Sequence, residues 1–193
     1  MVTFATNLYP SYNMVIILIS KSGAVMDTKS GIKVRQLIDW RAAAIAGIIS
    51  GFIALGMNIL LSALVLDSPW VFIRIVSSLI MGKTILPPPV EFSSVIFLAA
   101  LLIHVALGLI YTALIAAVIH QWGILISLAG GALMGLAFYT INFYFFSLLF
   151  PWFFAFRNWG FLLTHVVFGA IAGGIYEWLE VEKYVEIREE VKP

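Results

Sequence analysis

The sequence predicts an all-α integral membrane protein, built as a four-helix transmembrane bundle with an outer interfacial helix in its first loop. Two observations favour this fold. Of the 193 residues, 62% are apolar and only 11% are charged, whereas soluble domains carry about 25% charged residues. Four apolar stretches also approach or exceed the roughly 20 residues that cross a ~30 Å hydrocarbon core as a helix. Continuous apolar runs, rather than alternating ones, favour helices over a barrel.

The composition also excludes several classes of function. The net charge is +1 and there is no basic patch to neutralise phosphates, so we expect no nucleic-acid partner. The absence of cysteine excludes disulfides, iron–sulfur clusters and thiolate metal sites. The sequence contains no Walker loop, no dinucleotide fingerprint and no His-Glu-x-x-His. The apolar stretches 42–66, 95–119, 122–150 and 160–176 contain no Asp or Glu to serve as a buried base, so a self-sufficient enzyme is not favoured.

The elements follow in order along the chain. Residues 1–35 form a cytoplasmic leader whose order the sequence leaves open, and residues 36–180 form the transmembrane domain. The spans are predicted at about residues 42–66, 95–119, 122–150 and 158–178. The charged tail, residues 177–193, is expected to continue the last helix into solvent, because Trp178, Val181 and Val185 recur at helical spacing.

The first loop is more than a linker. Ser68 followed by Pro69 is typical of a helix start, and Gly82 is typical of a helix end. Between them, apolar residues recur at spacings of three and four. This pattern predicts a helix that lies in the outer interface of the membrane.

The orientation follows from the basic residues. Eight Lys and Arg residues fall on the side that holds both termini, and three fall on the opposite side. The positive-inside rule therefore places both termini in the cytoplasm of a bacterial inner-membrane protein.

Each predicted span carries small residues on one face. Because lipid provides no hydrophobic reason for helices to associate, such residues allow close helix packing. One interpretation is that these residues only allow tight packing of the bundle. The alternative is that some of the glycines leave space for a flat ligand. The residues concerned are Ala43, Gly47 and Gly51 in the first span, Gly108 in the second, Ser127, Gly131 and Gly135 in the third, and Gly169 and Gly173 in the fourth.

The most informative feature is a layer of polar residues. One polar residue in each span, at a rise of 1.5 Å per residue, falls roughly 8–14 Å below the outer end. Both histidines share a helix face with glycines, which favours an orientation into the bundle. We therefore expect the two imidazoles to approach each other, with the asparagine of the third span beside them and with that span contacting both of its neighbours. The four residues are Asn58, His104, Asn142 and His165.

Three interpretations of this layer stay open. The first is a hydrogen-bonded layer that fixes helix register. The second is cofactor ligation, in which His104 and His165 clamp a b-type haem, or bind copper or zinc. The third is a proton or ion pathway. His120, which lies at the predicted cytoplasmic turn, is interpreted as an interfacial residue.

Two arginines lie near the predicted outer face. Arg157 follows an aromatic run, and Arg74 belongs to the loop helix. Each is either an anchor at the headgroups, through snorkelling or cation–π contact, or a ligand for an anion such as a lipid phosphate or a haem propionate.

Several short segments together resemble a known family. The chain resembles a family of small bacterial polytopic membrane proteins of unassigned function, over about residues 36–180. The resemblance implies a shared cluster of outer-facing motifs but supplies no activity, so no functional residue is carried over. The segments are Ser68-Pro-Trp-Val-Phe-Ile-Arg, Asn142-Phe-Tyr-Phe-Phe, Leu149-Phe-Pro-Trp-Phe, Arg157-Asn-Trp and His165-Val-Val-Phe-Gly.

Two functions from different classes fit these observations. The first is a non-catalytic integral subunit or accessory protein of a larger membrane complex, plausibly a respiratory one, whose polar layer is a candidate cofactor site. Its partners are the bilayer and either other membrane subunits or further copies of itself. The alternative is a small oligomeric transporter or channel that uses the same layer as its pathway.

Overall fold

In the computed structural model, which describes residues 5–6, 15–17 and 32–188, helices account for most of the chain. Within these residues, four helices are long and apolar enough to cross a membrane, so the chain is built as a multi-pass membrane protein. A shorter helix, α2, connects the first two of them. The helices are α1 Trp40–Val65, α2 Pro69–Met81, α3 Ser94–Ile119, α4 Ile124–Thr140 and α5 Trp159–Leu179.

Side-chain caps explain where three of the helices begin. The Asp39 carboxylate accepts hydrogen bonds from the first backbone N–H groups of α1, and the Asn158 side chain does the same for α5. Ser68 caps α2, followed by Pro69 at its first position, and Gly82 ends the helix with a φ of 80°. The predicted bounds of the loop helix are therefore confirmed, because both signals act on the backbone locally.

Helix α2 packs against α1 and α3 rather than standing apart from them. Its serines are almost fully buried, although the apolar pattern alone does not predict this. Ser77 Oγ lies 2.6 Å from the Ile96 carbonyl oxygen and donates to it, and Ser78 Oγ accepts a hydrogen bond of 2.7 Å from Trp152 Nε1. These bonds join α2 to the start of α3 and to the loop before α5.

The third span is helical over less of its length than a simple apolar run implies. Regular α-helix ends at Thr140, and a π-helical turn, Ile141–Phe145, follows, then a 3₁₀ turn, Phe146–Leu148. A π turn inserts one residue into the helical register and often marks a functional site. Here it carries Asn142.

The glycine stripes bring helix backbones into contact. A β-carbon added at Gly169 of α5 would overlap the carbonyl oxygen of Gly131 on α4, and one at Gly47 would lie 2.9 Å from the carbonyl oxygen of Gly108 on α3. The interpretation as tight packing is therefore confirmed. The expectation that the third span contacts both of its neighbours is confirmed, although α4 packs chiefly on α5 and its contact with α3 is slight.

The two ends of the described chain meet in an antiparallel sheet. Its strands, in the order β1-β2-β4-β3, are β1 Ala5–Thr6, β2 Val15–Ile17, β3 Ile32–Leu37 and β4 Lys183–Arg188. The helical continuation predicted for the tail is therefore wrong: α5 ends at Leu179, and the tail pairs with β3 from Leu37↔Lys183 to Ile32↔Arg188. The spacing of Val181 and Val185 is compatible with helix or strand, and pairing with β3 decides for strand. The other leader and tail residues lie outside the described residues.

The bundle interior consists of two apolar clusters with a polar region between them. Half of the buried residues in the loop-end cluster are aromatic, including Phe72, Phe143, Phe156 and Phe161. The sheet-end cluster is mainly small and aliphatic; its fully buried members include Ala46, Ala116, Ile115, Ile119 and Ala172. We use "loop end" for the α2 side of the bundle and "sheet end" for the side of the β-strands.

Candidate functional site

The four predicted polar-layer residues line one cavity that is partly open to the surface. It consists of two adjoining lobes of about 40 and 120 Å³, and all four residues contribute to both lobes. Tyr111 and Thr164 line the smaller lobe, and aromatic side chains of α2 and of residues 143–153 line the larger one. The four residues that were predicted to form a layer from their depth in the spans therefore line the same cavity: Asn58, His104, Asn142 and His165.

Three of the polar side chains form a directional chain of hydrogen bonds. His165 Nδ1 lies 2.8 Å from the carbonyl oxygen of Phe161 and must donate to it, because a carbonyl only accepts. In a neutral imidazole, His165 Nε2 then accepts, here from Asn142 Nδ2 at 3.3 Å. Asn142 Oδ1 in turn accepts from the Tyr111 hydroxyl at 2.5 Å. The Phe161 carbonyl thus fixes both the His165 tautomer and the Asn142 amide orientation.

Asn58 belongs to a second, separate pair. Its Oδ1 accepts a hydrogen bond of 2.7 Å from Thr164 Oγ1, and both residues are buried. This bond ties α1 to α5 at the same level as the chain through His165. The Asn58 amide nitrogen has no hydrogen-bond partner among the described residues.

His104 differs from the other three because its ring has no hydrogen-bond partner in the described part of the chain. Its Nδ1 is buried and unpaired. The ring meets Phe72 of α2 edge to face, with centroids 5.6 Å apart, and borders both lobes. An unpaired buried polar atom costs about 1–3 kcal/mol, so the unpaired Nδ1 of this half-buried ring points to a missing partner.

The geometry does not favour the haem b interpretation. The His165 Nε2 lone pair, which iron would need, already accepts from Asn142. The glycines expected to clear a slot are filled by neighbouring backbone, Gly108 by Gly47 and Gly169 by Gly131. An apolar cavity of about 150 Å³ holds a single benzene ring, so the larger lobe is too small for a macrocycle of four pyrroles. Among the described residues, no group of three or more His, Asp or Glu side chains is placed to hold a metal ion.

The two arginines make internal contacts near the loop end. Arg157 Nε donates to the Phe143 carbonyl oxygen at 2.6 Å, its Nη2 donates to Ser147, and the guanidinium carbon lies 4.5 Å from the Tyr144 ring centroid. Arg74 donates to the carbonyl oxygens of Ile85 and Glu91. Both arginines donate to carbonyl oxygens of the chain itself, and Arg157 satisfies one in the π turn, whereas anchoring at the headgroups stays a prediction. An anion ligand for either arginine stays a prediction.

Three contributors to the site carried little signal in the sequence. Thr164 precedes His165 and resembles any helical threonine, and Phe72 faces the site only because α2 folds back onto the bundle. Tyr111 donates to Asn142, and Tyr139 and Tyr144 of the third span carry the same hydroxyl group. The available signal was spacing, since Tyr111 lies seven residues after His104, on the same helix face.

A separate titratable group lies at the sheet end. Glu180, which follows α5 and is 7% exposed, accepts a hydrogen bond of 2.5 Å from Gln36 Nε2 of β3, while its Oε2 is buried and unpaired among the described residues. Burial, and secondarily the nearby charge of Glu177, raises the pKa of Glu180 to about 7. Glu177 itself accepts from Ser127 Oγ of α4 at 3.2 Å.

Comparisons with known proteins add no identification. No family model, no curated protein and no solved structure matches the chain. What the chain does is therefore inferred from its own geometry.

Proposed function

We propose that this chain is a non-catalytic integral membrane subunit or accessory protein that holds a small ligand in its His/Asn cavity. The observation that carries the proposal is the His104 imidazole, which borders the cavity with no partner among the described residues. Tyr111, Asn142, His165, Asn58 and Thr164 each make at least one hydrogen bond within the layer, whereas the His104 ring makes none among the described residues. A bound polar group would complete the layer.

The packing below the cavity supports binding rather than passage. Ile115 and Ile119 of α3 and Tyr176 of α5 have no exposed surface. At the sheet-end boundary of the cavity, Tyr111 stacks on Phe138 with centroids 4.2 Å apart. A solute in the cavity therefore faces closely packed side chains towards the sheet end. The transporter alternative requires these helices to separate, which weakens it.

The proposed setting is a bacterial inner membrane with both termini in the cytoplasm. The support for this orientation is the excess of Lys and Arg on the side that holds the termini. The described helices expose much of their apolar surface, including Leu102 and Ile110 of α3, which suits either lipid or neighbouring membrane subunits.

The binding part of the proposal is tested by native mass spectrometry on protein extracted gently from its own membranes. We expect a small molecule bound in addition to the 21.4 kDa polypeptide. Leu107 lines both lobes, so Leu107→Trp fills the cavity and is expected to remove the bound mass. Wild-type protein without a bound molecule, or equal binding by Leu107→Trp, contradicts the proposal.

The subunit part is tested separately on native gels of the same extract. Migration with co-purifying membrane proteins supports it. Migration as a lone monomer counts against a subunit role and leaves the ligand result unaffected.

A further inference from the structure

The cavity has spare hydrogen-bond donors. The Asn58 amide nitrogen has no partner among the described residues, and the Asn142 amide nitrogen uses one of its two hydrogens on His165. His104 adds one N–H in either neutral tautomer. The asparagine carbonyl oxygens already accept one bond each, from Thr164 and Tyr111. Because these residues line the cavity with donors to spare while both asparagine carbonyl oxygens already accept, the site favours a ligand with oxygen acceptors.

The cavity also limits the charge and the size of its ligand. The described residues that line the two lobes include no Lys, Arg, Asp or Glu, so a charged head group would be buried without a counter-ion. The larger lobe, about 120 Å³, is close to the cavity that accommodates benzene. Its walls include Phe72, Phe143 and Phe153, whose faces and edges suit a flat ring.

The cavity borders a gap between helices that faces lipid. Helix α3 makes only slight contact with α4, and the larger lobe lies between α3 and the π and 3₁₀ turns that follow α4. Ile103, Leu107 and Phe146 line this part and are half-buried, and Leu102 and Phe145 beside them are exposed. An apolar tail attached to the ligand can leave the bundle here and continue among acyl chains.

Together, these features identify a chemical class. We propose that the cavity binds the head group of a monocyclic, lipid-soluble quinone, with ring carbonyl oxygens accepting from His104, Asn58 and Asn142 and with the tail passing between α3 and residues 141–148. The aromatic walls of the larger lobe suit the ring, the neutral carbonyls match the spare donors, and the tail matches the gap to lipid. This inference rests on the proposed function, which requires only that some small molecule occupy the cavity.

The test is isothermal titration of the full chain in detergent micelles with a short-tailed alkyl benzoquinone. The matched probe is an alkylbenzene with the same tail, which keeps the ring and lacks the carbonyls. We expect the quinone to bind at least tenfold more tightly than the alkylbenzene. His104→Phe keeps the ring contact with Phe72 and removes the donor, so it is expected to weaken quinone binding about tenfold and leave alkylbenzene binding unchanged.

His120→Phe is the control variant, because this histidine lies at the turn between α3 and α4 and does not line the cavity. It should bind the quinone like wild type. Equal binding of quinone and alkylbenzene, or of quinone to wild type and His104→Phe, overturns the quinone assignment. If Leu107→Trp still prevents binding of both probes, the proposal that the cavity holds a small ligand is supported even when the quinone assignment fails. If Leu107→Trp also binds both probes like wild type, the proposed function fails as well.

Discussion

The contact between α4 and α5 can be tested with one methyl group. In Gly169→Ala the added carbon would overlap the Gly131 carbonyl oxygen and lie 2.8 Å from the Gly131 carbonyl carbon and 2.9 Å from the Gly135 nitrogen. All three atoms are backbone, so the helices must separate. Overpacking of this kind costs about 1–3 kcal/mol, although alanine gains about 1 kcal/mol of helix propensity over glycine. We expect a net loss, with the Asn142–His165 bond weakened because it joins the same helices.

Gly56→Ala is the matched control. Gly56 lies inside α1, and no heavy atom comes within 4 Å of a β-carbon added there. The same helix-propensity gain therefore acts without the clash, and we expect Gly56→Ala to stabilise by up to about 1 kcal/mol. Because the propensity gain is common to both, unfolding in mixed micelles, followed by circular dichroism, should separate the two variants by the cost of the clash, about 1–3 kcal/mol. If Gly169→Ala is as stable as Gly56→Ala, the backbone contact between α4 and α5 is not real.

Three further predictions concern polar groups. Tyr111→Phe should cost about 1 kcal/mol of unfolding free energy and should be less than additive with Asn142→Leu, because both variants remove the Tyr111–Asn142 hydrogen bond; full additivity in a double-mutant cycle would mean that the bond is absent. Arg157→Met should lower stability by about 1.5–3 kcal/mol by stripping the Phe143 carbonyl of its charged donor, and an unchanged melting temperature would refute that role. The pKa of Glu180 is raised to about 7, so this carboxyl group binds its proton more tightly in the folded state than in the unfolded state. Its contribution to stability should therefore be greatest below its ordinary pKa and should be lost as the pH rises through 7. Thermal melts from pH 4 to 9 should show this slope in the wild type and a flatter one in Glu180→Gln.

Local signals and apolar length predicted most of the fold. The four spans and the loop helix follow from hydropathy, from the Ser68-Pro69 start and from the Gly82 stop, all of which act within a few residues. The glycine stripes also predicted where helix backbones come into contact, because close helix approach in lipid requires small side chains.

The sequence could not predict features that depend on tertiary partners. The strand Lys183–Arg188 forms because β3 lies beside it, although the same residues also fit a helix pattern. The π turn at Ile141–Phe145 has no local signal and is held in part by Arg157, which is distant along the chain.

For the site, depth predicted which four polar residues meet, and only the structure distinguishes their roles. His104 and His165 are equivalent by position and by helix face. Both ring nitrogens of His165 are hydrogen-bonded, to the Phe161 carbonyl oxygen and to Asn142. The His104 ring has no hydrogen-bond partner among the described residues. That difference depends on which helices are neighbours, which one-dimensional spacing does not contain.

The central claim is that His104, and not His165, has the open position in the cavity. Nitrogen-15 spectra of histidine-labelled protein test it most directly, since the chain contains three histidines and single substitutions assign them. We predict a neutral His165 with its proton on Nδ1, unchanged when the short-tailed benzoquinone is added, and a His104 signal that shifts on addition. A shift confined to His165, or a His165 protonated on Nε2, would contradict the account.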